Sequence, residues 1–365
     1  MTERVFNFGA GPAVLPEQVL EEVREHLMML PGVGMSVLEI SHRSEAFDEI
    51  LMTAETNIRT LAGLSDDYHV LFLSGGATHQ FAMVPMNLLS DGGIADYVVT
   101  GPWAKKAAKE AEKFGAVHIA ATTEHERFMR IPASVELDLT AGATYVHVTS
   151  NNTIAGTEWC EMPDVGDRPL VVDASSDIFS RPLDVARPGG SLIYAGAQKN
   201  LGPAGVTVVI GRDDLIFSNR SPSTLPTLMR YATSAENRSR YNTPPVFAIY
   251  VVSLVTSWLR DQGGLEAMDE RNERKARKVY AQIDSSGFYH GTASTDSRSR
   301  MNVTFRLEPP RLDARFVTAA ADAGLAGLKG HRSVGGQRAS IYNALPEEGV
   351  DALVSFMAEF ERMNG

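Results

Sequence analysis

Between His69 and Ile210, short apolar runs alternate with segments of helical spacing. His69–Leu73, Ala95–Thr100, Val117–Ala120, Thr144–Thr149, Pro169–Val172, Leu192–Tyr194 and Val206–Ile210 read as strands, with Gln80–Leu89 and Ala104–Phe114 as helices between them. Continuous apolar runs bounded by turn residues suit strands buried on both faces, so the pattern selects an α/β fold with a mostly parallel sheet flanked by helices. In such sheets ligands bind beyond the carboxyl ends of the strands. The residues that follow each run are therefore the first places to look for chemistry.

At 365 residues the chain exceeds what one core usually serves, and two domains are expected. Residues 1–14 read as an irregular arm. A large domain over 15–262 begins with helices at Pro16–Leu30 and Phe47–Leu61. The Asp261–Gly264 turn opens a small α+β domain over 263–365, with helices at Leu265–Ile283, Asp313–Ala323 and Glu347–Arg362 and strands at Met301–Arg306 and Arg338–Tyr342. Phe247–Leu259, after Pro244 and Pro245, reads as a core helix too short to span a bilayer.

No signal-peptide pattern opens the chain, and a single cysteine, Cys160, suits a reducing compartment, so a cytoplasmic location without membrane contact is expected. The nine histidines show no metal-ligand spacing, and no metal is assigned. A formal net charge of −11 argues against nucleic acid as the main partner. The basic run Arg271–Lys278 reads as a solvated helix face.

Four strand ends offer distinct chemistry. Ala195-Gly196-Ala197-Gln198-Lys199 delivers a lysine among small residues, ahead of Gly202-Pro203-Ala204-Gly205. In a partly dry pocket such an amine could form a Schiff base with an aldehyde; otherwise it is a loop lysine that binds phosphate or nothing. Ser74-Gly75-Gly76-Ala77-Thr78 is an anion nest at a helix start or an ordinary tight turn. Asp173 is a partner for a protonated ring nitrogen or a helix cap. Trp103 is a stacking platform or core filler. Hydroxyls in Thr149–Thr153 could touch ring substituents. Taken together, a lysine, an acid, a flat ring and a phosphate nest match pyridoxal 5′-phosphate. His42-Arg43 and His331-Arg332, with Arg338, suggest a substrate bearing two or three negative charges, unless each arginine makes a structural ion pair.

Phe6-Asn7-Phe8-Gly9-Ala10-Gly11-Pro12, Ser41-His42-Arg43, Ala195–Asn200, Tyr241-Asn242-Thr243-Pro244-Pro245 and Gly330-His331-Arg332 together resemble the phosphoserine aminotransferase family over nearly the whole length. These are class V aminotransferases of the fold-type-I pyridoxal-phosphate group. The resemblance implies that Lys199 is the Schiff-base lysine, Trp103 the stacking ring, Asp173 the partner of the ring nitrogen and Thr153 a contact to the ring hydroxyl. It further implies that Ala77, Thr78 and Gln198 hold the cofactor phosphate. Asn242 and Thr243 would reach the phosphate of a neighbouring subunit, making a homodimer with shared sites. His42 and Arg43, with His331 and Arg332 of the partner subunit, would take the substrate phosphate or side-chain carboxylate, and Arg338 the α-carboxylate.

The implied reaction moves an amino group between L-glutamate and 3-phosphohydroxypyruvate, giving O-phospho-L-serine and 2-oxoglutarate in serine synthesis. A phosphorylated four-carbon analogue in pyridoxine synthesis is a further substrate of some bacterial members. Two positions depart from some members: Ala10 stands where a serine often contacts substrate, and Thr78 where an arginine occurs. The alternatives are another class V activity, such as a different aminotransferase or a cysteine desulfurase, and a protein that holds the cofactor without turnover. Desulfuration needs an activated thiol, and Cys160 has no basic sequence neighbour to supply one.

Overall fold

The computed structural model describes residues 4–90, 92–220 and 222–365, so the first three residues of the expected arm lie outside the described residues. Its centre is a seven-stranded sheet of β1 (Tyr68–Leu73), β2 (Ile94–Val99), β3 (Ala116–Thr122), β4 (Val146–Thr149), β5 (Leu170–Asp173), β6 (Ser191–Gly196) and β7 (Thr207–Arg212). The spatial order is β1-β7-β6-β5-β4-β2-β3. All pairings are parallel except those of β7, which runs antiparallel to both β1 and β6. The reversal has a local cause. β6 and β7 are joined by a short loop, Ala197–Val206, closed by the Ala197 amide on the Val206 carbonyl at 3.0 Å. No crossover helix fits in so short a connection, so the second strand must return alongside the first.

β4, β5 and β6 are buried along their whole lengths, as their apolar sequence requires. Helices cover both faces. α1 (Glu17–His26), α2 (Glu45–Ala62) and α5 (Val246–Asp261) pack with one face, and α3 (Gly76–Leu88) and α4 (Pro102–Ala111) with the other. α1 is shorter than its apolar spacing suggests, because the chain turns at Leu27. α3 and α4 start earlier than their apolar periodicity implies, at the glycine and proline turns themselves. No helix among the described residues is long and apolar enough to cross a membrane.

α6 (Gly264–Asp284) leads to a second core built on β8 (Tyr289–Gly291), β9 (Asn302–Leu307) and β10 (Gln337–Ser340), with α7 (Asp313–Asp322) and α8 (Glu347–Asn364). The N-terminal arm joins this core. Phe6–Asn7 pairs in parallel with Leu325–Ala326, and Phe8 is fully buried among the small-domain side chains. Truncating Phe8 would cost about 3–5 kcal/mol.

One residue of the basic run on α6 departs from the solvated face expected for it, on which Arg274 and Arg277 are exposed. Lys275 is 0% exposed, and its ammonium donates to the carbonyls of Ile341, Tyr342 and Leu345 at 3.0, 2.7 and 3.2 Å. Three acceptors match the three N–H bonds of an ammonium, which is how a lysine tolerates full burial. The bonds fix the segment after β10 against α6. Tyr342, within that segment, donates its hydroxyl to the Ala10 carbonyl at 2.9 Å and so pins the arm beside the carboxyl edge of the sheet.

Candidate functional site

The parallel strands bring their carboxyl ends to one edge, where a cavity of about 490 Å³ opens. Lys199 enters it from the β6–β7 loop. The Ala197 carbonyl accepts the amides of Leu201 and Gly202 at 3.1 and 2.8 Å, which tightens the loop, and the Gln198 carbonyl accepts the Ala13 amide at 2.8 Å. Lys199 therefore lies under the arm. A Cβ on Gly11, whose φ is +139°, would come within 3.4 Å of Lys199 Cγ, so this glycine supplies both an unusual turn and room for the lysine.

Lys199 Nζ has no hydrogen bond or ion pair among the described residues. Burial holds its ammonium below the usual lysine range, opposed by the charges of Asp173 and Asp177 and assisted by Arg338. A larger share of it is thus free amine at neutral pH. Asp173 ends β5 and is 5% exposed; its Oδ1 accepts the Ser175 amide at 3.0 Å. The residue closes a local turn and faces the cavity at once. Burial pushes its carboxyl above the usual range, against the bonds from Ser175 and the charge of Lys199. A cation placed beside it would restore the carboxylate.

Gly75 and Gly76, at φ +100° and +69°, turn β1 into α3. A Cβ on Gly75 would sit 2.3 Å from His79 Nδ1, so no other residue fits there. α3 has no side-chain cap, which leaves the amides of its first turn, including Ala77 and Thr78, directed at the cavity wall they help to form. Trp103 sits in the first turn of α4 behind Pro102, with the Lys106 ammonium 4.4 Å from its ring centroid. Thr153 and Arg338 meet across the mouth, where Arg338 Nη1 donates to the Thr153 carbonyl at 2.9 Å. That bond leaves the Nε–Nη2 edge of the guanidinium free. His331 also lines the cavity; its ring is held below the usual imidazole range by burial and by Arg338, Arg332 and Lys106.

Of the residues expected from the sequence, Ala77, Thr78, Trp103, Thr153, Asp173, Gln198, Lys199, His331 and Arg338 line this one cavity. His42, Arg43, Arg332, Asn242 and Thr243 do not, and all but the half-buried His42 are exposed. His331 faces the cavity of its own chain, whereas the resemblance assigns it to the partner's. The Gly330 amide on the Gly336 carbonyl, at 2.9 Å, folds its loop back over the same chain.

Sequence reasoning missed Ser175, Ser176 and Asn151 in the lining, and Asp177 just behind it. Asp177 is buried, accepts the Ser150 hydroxyl, and is pushed up to about 7 by burial. Its position in Asp173-Ala-Ser-Ser-Asp177 was the available signal. Cys160 lies elsewhere, exposed, with Sγ 3.6 Å from the Asp296 carbonyl, so it offers this cavity no thiol.

Three buried donors on the cavity wall have no protein acceptor among the described residues: Trp103 Nε1, Thr149 Oγ1 and Arg338 Nε. Buried polar groups are rarely left so, and three around one cavity mark a space made for a guest rich in acceptors. With an unpaired amine, a buried acid, a flat indole and an uncapped helix start, the donor set fits pyridoxal 5′-phosphate and a carboxylate-bearing substrate.

The aminotransferase class-V family matches residues 5–353 of the chain. A phosphoserine aminotransferase of Desulfatibacillum aliphaticivorans is 54% identical, with 100% of both chains covered. The phosphoserine aminotransferase structure from Bacillus circulans subsp. alkalophilus superposes with a TM-score of 0.96 at 50% identity, again covering 100% of both. A PLP-bound phosphoserine aminotransferase from Trichomonas vaginalis superposes with a TM-score of 0.92 at 38% identity, covering 97% of this chain and 100% of that one.

Proposed function

The chain belongs to the class-V aminotransferases, and from that premise we propose that its cavity runs the phosphoserine aminotransferase reaction with pyridoxal 5′-phosphate as coenzyme. The amino group passes between L-glutamate and 3-phosphohydroxypyruvate, giving O-phospho-L-serine and 2-oxoglutarate. The observation that carries the reading is a partly buried amine, Lys199, unpaired among the described residues, in a cavity whose other titratable groups are Asp173, His331 and Arg338.

When bound, the coenzyme supplies an aldehyde for an amine and a ring that delocalises the electrons left at the substrate's Cα. The protein does the rest. Lys199, depressed below an ordinary lysine, would hold the aldehyde, and as a free amine it could move a proton at the substrate's Cα. Asp173 would keep a proton on the ring nitrogen, because a positive charge opposite it stabilises a carboxylate that burial disfavours. Trp103 would offer the ring a stacking face and Thr153 a bond to its hydroxyl. The amides of Ala77 and Thr78, with Gln198, hold the phosphate at the start of α3. The free edge of Arg338 takes the α-carboxylate as a two-bond fork.

The second anionic group of either substrate, a phosphate or a carboxylate, falls to His331 and Arg332, completed by His42 and Arg43 across a homodimer. Exposed Asn242 and Thr243 reach the partner's cofactor phosphate. Exposed Met28, Met29, Leu38, Met52 and Tyr241, close in sequence to these groups, support burial by a second copy. The division into a large domain, 15–262, and a small one, 263–365, rests on the separate core of the small domain, although Leu265 and Met268 at the start of α6 pack into the large-domain core; a cytoplasmic location rests on the lone cysteine.

A half-reaction screen tests the reading. Loss of coenzyme colour is followed after adding O-phospho-L-serine, L-glutamate, L-alanine or L-cysteine in turn. The two dianionic donors should react far faster than the others. Comparable rates for alanine, or cysteine as the best donor, would place the chain in another activity of its family.

A further inference from the structure

Thr149 closes β4 and pairs in parallel register with Asp173 at the end of β5. Residues so paired present their side chains to the same face of the sheet, which puts the Thr149 hydroxyl beside the acid on the cavity floor. Thr149 is 3% exposed and lines the cavity, yet its Oγ1 has no hydrogen-bond partner among the described residues.

Its neighbours are different. Ser150 Oγ donates to the Asp173 carbonyl at 3.0 Å and to Asp177, Ser175 Oγ accepts the Gly196 amide at 3.2 Å, and Ser176 Oγ donates to the Asn151 carbonyl at 2.8 Å. Every serine around Asp173 is thus committed to protein, and the one threonine of β4 is not. Valine would fill the same space without a hydroxyl to desolvate, so packing alone gives no reason for threonine here.

We infer that Thr149 is a coenzyme contact: its hydroxyl donates to the oxygen substituent of the pyridoxal 5′-phosphate ring that Asp173 anchors. The contact is separate from that of Thr153, four residues on, and it rests on the coenzyme reading above. It makes the floor of the site a pair, with Asp173 keeping the ring's charge and Thr149 fixing its rotation in the plane.

The test compares wild type, Thr149→Val and Thr149→Ser, each freed of coenzyme and then titrated with pyridoxal 5′-phosphate. Removing an unsatisfied buried hydroxyl should leave the melting temperature of coenzyme-free Thr149→Val unchanged or raised. Its dissociation constant for the coenzyme should rise about fivefold, the scale of one net hydrogen bond, and Thr149→Ser should bind as wild type does. Wild-type affinity in folded Thr149→Val overturns the inference. So does a fall in melting temperature of the coenzyme-free Val variant, because the hydroxyl would then have a protein partner. Failure of wild type itself to take up the coenzyme would instead remove the reading beneath it.

Discussion

Arg338→Gln separates substrate binding from coenzyme binding. One guanidinium nitrogen, Nη1, is spent on the Thr153 carbonyl at 2.9 Å, and Nε is buried without an acceptor. The open edge therefore offers two charge-assisted bonds to a carboxylate, each worth about 1.5–3 kcal/mol. Glutamine can replace one of them with a neutral bond of about 1 kcal/mol. The net loss is about 3 kcal/mol, or ~150-fold in kcat/KM for both amino donors. A second effect has a fixed sign. The Arg338 charge helps to depress Lys199, so its removal raises the lysine toward the ordinary range. Less free amine is then present at any pH below that pKa, and coenzyme uptake by the variant should need a more alkaline solution than wild type. Stopped-flow half-reactions give the first number, and uptake rate against pH gives the second. A loss in kcat/KM below about fivefold, or an uptake profile that moves to lower pH, would refute the assignment of this edge to the α-carboxylate.

Asp173→Asn keeps the shape of the turn that accepts the Ser175 amide but cannot balance a protonated ring nitrogen; coenzyme should still bind, while kcat falls by about 100-fold or more, measured in single turnovers. Lys275→Met leaves three buried carbonyls without donors and should lower stability by about 3–5 kcal/mol in chemical denaturation, with KM raised because the arm is held through Tyr342. Mixing Lys199→Ala with Asn242→Ala subunits should give hybrid dimers with altered coenzyme affinity. Unchanged affinity in verified hybrids would mean self-contained sites.

The sheet and its floor were legible because both follow from local rules. Apolar runs mark β2, β5 and β6, and the residues at their ends must fall at the carboxyl edge, so Trp103, Asp173 and Lys199 converge without any knowledge of distant contacts. What stayed hidden depends on pairings across hundreds of residues. Two-residue strands such as Phe6–Asn7 have no periodicity to read, and their partner, Leu325–Ala326, is at the other end of the chain. The buried Lys275 looks like a surface lysine, because its charge is met by backbone carbonyls that carry no sequence signature. Nothing in the composition of Arg338 or Thr153 says that one holds the other. Asn242 and Thr243 were found by resemblance to a family and His42 and Arg43 first by the repeated His-Arg pair; none of the four lines the cavity of its own chain, and their role rests on the proposed sharing between two copies.

Covalent mapping tests the central claim most directly. Coenzyme-loaded protein is reduced with borohydride, digested, and the labelled peptide identified by mass spectrometry. The label should sit on Lys199 alone and vanish in Lys199→Ala. A label on Lys106 or any other lysine, or colour and activity surviving in Lys199→Ala, would contradict the account.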